Sequence, residues 1–213
     1  MTADPHAGHP VLTAGAPLGD GPAVVIMVHG RNASPQDILT LVPALDRPAL
    51  TYLAPAAAGR SWYPYSFLSD IPKNEPYLSS ALGVLVTLVG TVVARGIPLE
   101  RIVLLGFSQG ACLSSEFAVR HASRYGGVIA FSGGVIGPPE TTWVHPGSFA
   151  GTPVFLGCSD VDAHVPKTRV DESAELFSRM GAEVTRRMYP GMGHLVNDDE
   201  IARAREMLEA LCP

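Results

Sequence analysis

RIVLLGFSQG, residues 101–110, is the stretch whose reading decides the fold. Arg101–Phe107 is a short apolar run rich in branched side chains, as expected of a strand buried on both faces. Gly106-Phe107-Ser108-Gln109-Gly110 follows as a G-x-S-x-G turn, and Ser108–Arg124 then fits a helix, with Leu113, Phe117 and His121 four residues apart. A serine between strand and helix sits on a sharp, strained turn, and glycines two before and two after remove side chains that would collide with strand and helix. Backbone N–H groups and the positive end of the helix dipole then point at the serine hydroxyl's surroundings. The alternative reading, Ser108 as a simple helix N-cap, leaves both glycines without a purpose. Phe131-Ser132-Gly133-Gly134 also follows a strand, but it lacks the leading glycine and enters a loop, so Ser132 reads as a turn residue.

On either side of this stretch, short apolar runs alternate with longer helical patterns. Strands are expected at 23–28, 50–54, 101–107, 127–131, 153–157 and 183–188. Helices are expected after Ser34-Pro35, with Ile38, Leu41, Val42 and Leu45 on one face, and over 78–95, 108–124, 168–180 and 198–211. Alternation of this kind implies right-handed crossovers and an α/β fold, a mostly parallel central sheet with helices on both faces. Residues 1–21, rich in Gly, Pro, Ala and His, read as a flexible lead-in, with His6 and His9 solvated, and 22–213 as a single domain.

The 213 residues carry only 16% charged side chains against 46% hydrophobic ones, which excludes a disordered tail or a charged rod. A net charge of −5 with no basic run argues against partners held by charge, so no nucleic acid is expected. The uncharged stretch 78–94 is strongly apolar only over 81–94, short of the roughly 20 residues that cross a bilayer, so it reads as a core helix without stable membrane insertion. Cys112, Cys158 and Cys212 are widely spaced with no CxxC, and Met1–His6 shows no basic or apolar leader; a reduced, cytoplasmic chain is expected.

A serine needs an adjacent base oriented by a third group. With this strand–turn–helix arrangement the acid follows the serine and the histidine comes last. After strand 153–157 the chain reads Cys158-Ser159-Asp160-Val161-Asp162-Ala163-His164-Val165-Pro166, and after strand 183–188 it reads Tyr189-Pro190-Gly191-Met192-Gly193-His194. Both Asp160 and Asp162 qualify as the acid by spacing. His194 is preferred to His164 as base because a whole strand separates it from the acid, while His29 and His121 read as structural and His145 as a loop residue. Asp160, Asp162 and His164 also form a D-x-D-x-H run of metal-ligand type, but no second cluster supplies further ligands. Two N–H groups should stabilise an oxyanion, those of Gln109 and of Arg31 in the Val28-His29-Gly30-Arg31-Asn32 loop, with Asn32 as the alternative.

These residues resemble the phospholipase/carboxylesterase family, which has the α/β-hydrolase fold. The likeness spans about residues 23–211. It rests on His29-Gly30, on Ala54-Pro55 followed by Trp62, on Gly106–Gly110, on Asp162 before Val165-Pro166, and on Gly193-His194. The resemblance implies a triad of Ser108, Asp162 and His194, choosing Asp162 over Asp160. It also implies hydrolysis of carboxylic esters or thioesters without cofactor or metal. Asn32 stands where relatives often carry glycine, and Cys158-Ser159 where they often carry His-Gly; Asn tolerates left-handed backbone, so the first loop is expected to keep its shape.

The expected reaction is acyl transfer through an acyl-enzyme on a small-molecule ester, with lysophospholipids or thioesters as alternative substrates and activity falling at acid pH as His194 is protonated. A metal-dependent hydrolase and a non-catalytic binding relative are the rival readings. The loop 55–77 holds Trp62, Tyr63, Tyr65 and Phe67; of these Trp62, Tyr63 and Phe67 are the candidate substrate-binding residues, the alternative being that the rings seal the loop onto the domain. No cap domain fits in this length, so an open cleft is expected. A homodimer is compatible with the sequence.

Overall fold

The computed structural model describes residues 4–212, and the first three residues of the expected lead-in lie outside them. The strands are β1 (Val11–Gly15), β2 (Val24–Val28), β3 (Thr51–Pro55), β4 (Ile102–Phe107), β5 (Gly127–Phe131), β6 (Pro153–Ser159) and β7 (Glu183–Tyr189). They form one sheet in the order β1-β3-β2-β4-β5-β6-β7, parallel throughout except for β1, which runs antiparallel to β3 at one edge. The helices are α1 (Pro35–Leu39), α2 (Val42–Leu45), α3 (Tyr77–Ala94), α4 (Gln109–Arg120), α5 (Lys167–Arg179) and α6 (Asp198–Glu209).

Alternation along the strands sorts the core into two apolar layers. Val24, Ile26 and Val28 of β2 with Ile102 and Leu104 of β4 face a layer completed by Leu85 of α3, Phe117 of α4 and Phe177 of α5. Val25, Met27, Val103 and Leu105 face the other side, against Ile38 of α1, Leu45 of α2 and Leu208 of α6. Each such side chain withdrawn from water contributes roughly 1.5–3 kcal/mol before conformational entropy is set against it. By length and composition alone the α3 helix is long and apolar enough to cross a membrane. Here it lays Leu78, Ala81, Leu85, Leu88 and Val92 on the sheet, while Val86 and Val93 face outward.

Three expectations are corrected. Residues 11–15 are a strand, not part of a featureless lead-in, because their N–H and C=O groups complete the edge of β3. His6 is buried, not solvated: its Nε2–H donates to Trp62 O at 2.9 Å, its Nδ1 accepts from Ala58 N at 3.0 Å, and its own N–H donates to Ser80 Oγ. The helix opened by Ser34 carries the expected cap, with a reciprocal bond to Asp37, but it breaks after Leu39. Pro43 has no N–H to give to the Leu39 carbonyl, and the chain restarts as α2.

Candidate active site

All functional candidates sit beyond the carboxyl ends of parallel strands, where α/β sheets bind ligands. Ser108 follows β4 with φ 56° and ψ −121°, a left-handed conformation rare for a side-chain-bearing residue. The glycines explain how the turn is accommodated. A Cβ on Gly110 would lie 2.0 Å from Val28 O, and one on Gly106 2.4 Å from the Gly110 backbone. The turn can therefore pack against β2 only with hydrogen at both positions. Ser108 N–H donates to Phe131 O at 2.9 Å, which fixes the turn to β5.

The hydroxyl of Ser108 lies 2.8 Å from His194 Nε2, and His194 Nδ1 lies 2.7 Å from Asp162 Oδ2. Asp162 is buried, and its other oxygen accepts the N–H groups of His164 (2.8 Å) and Val165 (3.0 Å). Burial pushes its pKa up, but the bonds from His194 and the two amides outweigh that and hold the carboxyl below its ordinary value. Asp160 is turned elsewhere and accepts from Gly191 N at 2.8 Å. Spacing left the two aspartates open, and the structure separates them: Asp162 meets the imidazole, and Asp160 staples the histidine loop. The D-x-D-x-H run does not converge on a common point, because Asp160, Asp162 and His164 face different partners. The His164 ring instead packs edge-on against His194, 4.8 Å between centroids, and Phe107 packs on His194 at 5.0 Å.

Gly30 runs beside Ser108, its Cβ position 3.4 Å from Ser108 Cβ. Among the described residues the N–H groups of Arg31 and Gln109 donate to no protein acceptor, as oxyanion donors must. The alternative, Asn32, is excluded because its N–H donates to Arg60 O at 2.8 Å; its φ of 62° is the left-handed geometry expected of an asparagine in a glycine's place. The His29 ring is structural, as expected: Nδ1–H donates to Gly30 O, Nε2 accepts from Ala57 N, and burial lowers its pKa.

Tyr63 and Phe67 line a cleft of about 600 Å³ that opens on Ser108, together with Arg31, Gln109, His164 and His194. Trp62 does not. It is 0% exposed, its Nε1–H donates to His29 O at 2.8 Å, and its ring packs between His6 and His29. It seals the loop to the domain, so it is corrected from a substrate contact to a structural anchor. Burial raises the pKa values of the Tyr63 phenol and of Cys112 beneath it, the latter to about 12, so both stay neutral.

Three roles were missed by sequence reasoning. The Gln109 side chain, considered only for its backbone, accepts from Trp62 N and donates to Tyr63 O at 2.8 Å, so the helix that presents Ser108 also holds the aromatic loop. Ser159 Oγ accepts from Gly193 N at 3.1 Å and joins the acid and histidine loops. Glu200, in the first turn of α6 just after the histidine loop, is fully buried; one oxygen accepts from Asn197 N and the other has no partner among the described residues, pressed against Gly157 where a Cβ would lie 2.3 Å away. Only the Asn197/Glu200 capping pair was readable in advance, as a helix start.

Glu200 carries a pH signature. Burial pushes its pKa up to about 7, from 4.5. The folded chain therefore prefers the neutral acid, and the associated stability is full below pH ~4.5 and is lost as pH rises through 7, on the order of 3 kcal/mol in all. The depressed pKa values of His6 and His29 act in the opposite sense, but they are common to wild type and variant. Glu200→Gln should therefore melt several degrees above wild type at pH 8 and converge with it near pH 5. Parallel melting curves across that range would refute the assignment.

A strand-ended serine hydrogen-bonded through histidine to a buried aspartate on this sheet defines an α/β-hydrolase. The model of the phospholipase/carboxylesterase family matches residues 19–212, and the chain belongs to that family of ester hydrolases. A crystal structure of a phospholipase/carboxylesterase from Dyadobacter fermentans superposes with a TM-score of 0.91 at 40% identity, over 94% of this chain and 97% of that one. An acyl-protein thioesterase 1 from Eremothecium gossypii is 34% identical over 172 residues, 75% of this chain and 69% of the relative. The acyl-protein thioesterase 1 of Gibberella zeae matches at 33% over 59% of this chain, which spans about half of that relative (54%). The Bacillus cereus carboxylesterase shares the fold, with a TM-score of 0.74 at 18% identity over 96% of this chain and 95% of that one.

Proposed function

We propose that the protein hydrolyses carboxylic esters through an acyl-enzyme formed on Ser108. The observation that carries this reading is the unbroken chain Ser108 Oγ–His194–Asp162 at 2.8 and 2.7 Å. His194 Nε2 takes the Ser108 proton as Oγ attacks the ester carbonyl, while Asp162 accepts the Nδ1–H bond and stabilises the imidazolium. The N–H groups of Arg31 and Gln109 receive the negative charge that develops on the carbonyl oxygen. As the tetrahedral intermediate collapses, the C–O bond to the alcohol breaks and Nε2 gives the alcohol its proton. Water then attacks the acyl-enzyme with His194 again as base, and the acid departs. The cleft is open and walled by a loop rather than a cap, which favours small or extended esters.

A thioester in place of the ester is the second reading, favoured by the 34% identity to the Eremothecium gossypii thioesterase; the same atoms serve it. The test is labelling with a fluorophosphonate followed by peptide mapping, alongside a chain-length panel of acyl esters and thioesters. The adduct is expected on Ser108 alone and is absent from Ser108→Ala. An adduct on Ser132, or on any other residue, overturns the assignment. Relative kcat/KM across the panel separates esterase from thioesterase and lysophospholipase.

A further inference from the structure

Arg31 has a use beyond its backbone. Arg31 lines the cleft with Ser108, and its guanidinium bonds to the 61–65 loop that walls it. Nη1 donates to Ser61 Oγ at 3.1 Å and to Pro64 O at 2.8 Å, and Nη2 donates to Tyr65 O at 2.6 Å. All three acceptors are neutral, so the positive charge is not cancelled, and among the described residues Arg31 takes part in no ion pair. Its Nε–H and one Nη2–H have no partner among those residues, which leaves two donors for the two oxygens of a carboxylate. The guanidinium carbon lies over the Tyr63 ring, 5.8 Å from its centroid, a contact that further limits its freedom.

The charge balance of the cleft is the second observation. Among the described residues no Asp or Glu lines it, and the Asp162 carboxylate is buried behind His194. A chain of net charge −5 thus opens its candidate active site onto one fixed cation, with the His164 and His194 imidazoles beside it. Because the loop carbonyls already hold the guanidinium in place, an anion meeting it loses little further side-chain entropy.

We propose that Arg31 is a specificity-determining residue that selects esters bearing a second, ionised carboxylate, such as monoesters of short dicarboxylic acids. This rests on the ester-hydrolase reading above. The Arg31 side chain touches the substrate's carboxylate, whereas its backbone N–H faces the reacting carbonyl, so the side chain acts on choice of substrate. The guanidinium is exposed, so the preference it confers is moderate, about tenfold in kcat/KM.

The test compares matched substrates in wild type and Arg31→Gln, which keeps the backbone N–H and removes the charge. One pair is monomethyl glutarate against methyl pentanoate, with the carboxylate on the acyl side. The other is O-acetylglycolate against propyl acetate, with the carboxylate on the alcohol side. The expected result is an anionic-to-neutral kcat/KM ratio that falls about tenfold in Arg31→Gln for at least one pair. That ratio should also shrink in wild type at 0.5 M salt and survive for the most part in Arg31→Lys. A merely structural pin for the 61–65 loop lowers both members of a pair together, so unchanged ratios in both pairs overturn the proposal while leaving the esterase reading intact. Absence of Ser108-dependent turnover of all four esters overturns both.

Discussion

Ser108→Ala is expected to lower kcat for a p-nitrophenyl ester by about 10⁴-fold or more, with little change in melting temperature. In the proposed mechanism the hydroxyl oxygen forms the covalent bond, and neither His194 nor the two N–H donors substitute for it; what remains is catalysis by the donors and by binding alone. The fold should survive because the alanine methyl fits where the serine Cβ already lies, and Ser108 holds the turn through backbone groups, its N–H on Phe131 O and its C=O on Cys112 N. Steady-state kinetics and a thermal melt on the same preparation check both halves. A variant that keeps a tenth of wild-type turnover would place the nucleophile elsewhere.

Gly110→Ala is expected to be the most destabilising single methyl addition in the site. Its Cβ would sit 2.0 Å from Val28 O and 2.6 Å from His29 O, and both are backbone atoms of the strand and loop that lead to Arg31. No rotamer relieves an overlap with backbone, so either β2 or α4 must shift. A cost of about 4 kcal/mol or more follows, at the diagnostic end of point-mutant effects. For a domain of this size that corresponds to a fall of roughly 10 °C or more in Tm, or to loss of a cooperative transition. Gly83→Ala in α3 is the internal control: nothing lies within 4 Å of its Cβ position, and alanine is the better helix former there by up to about 1 kcal/mol. A Gly110→Ala protein that melts within two degrees of wild type would mean that the turn tolerates a side chain and that the glycine reading is wrong.

The nucleophile turn, the acid–histidine order and the parallel sheet were legible because each is a local pattern tied to a strand end. Gly106 and Gly110 answer to backbone contacts that any chain making this turn must have, and β2, β4, β5 and β6 are continuous apolar runs, the signature of strands covered on both faces. β1 was hidden for the opposite reason: an edge strand exposes alternate residues, and Val11–Gly15 is too short and too mixed to show a period. Trp62 was misassigned because aromatic content in a loop says nothing about which way a ring points, and His6, the residue behind it, lies fifty-six positions away. Gln109 and Ser159 were missed because their partners, the carbonyl of Tyr63 and the amide of Gly193, are main-chain groups, and main-chain partners leave no trace in a string of side chains.

The buried His6 gives the cleft an unexpected foundation. One imidazole nitrogen receives the amide of Ala58, the other gives its proton to the carbonyl of Trp62, and the very next residue, Tyr63, is cleft wall. The shape of the candidate cleft thus depends on a residue that does not line it, on the far side of the loop. A substitution at His6 therefore acts on the cleft through the placement of Trp62 and Tyr63, although His6 lines no part of it.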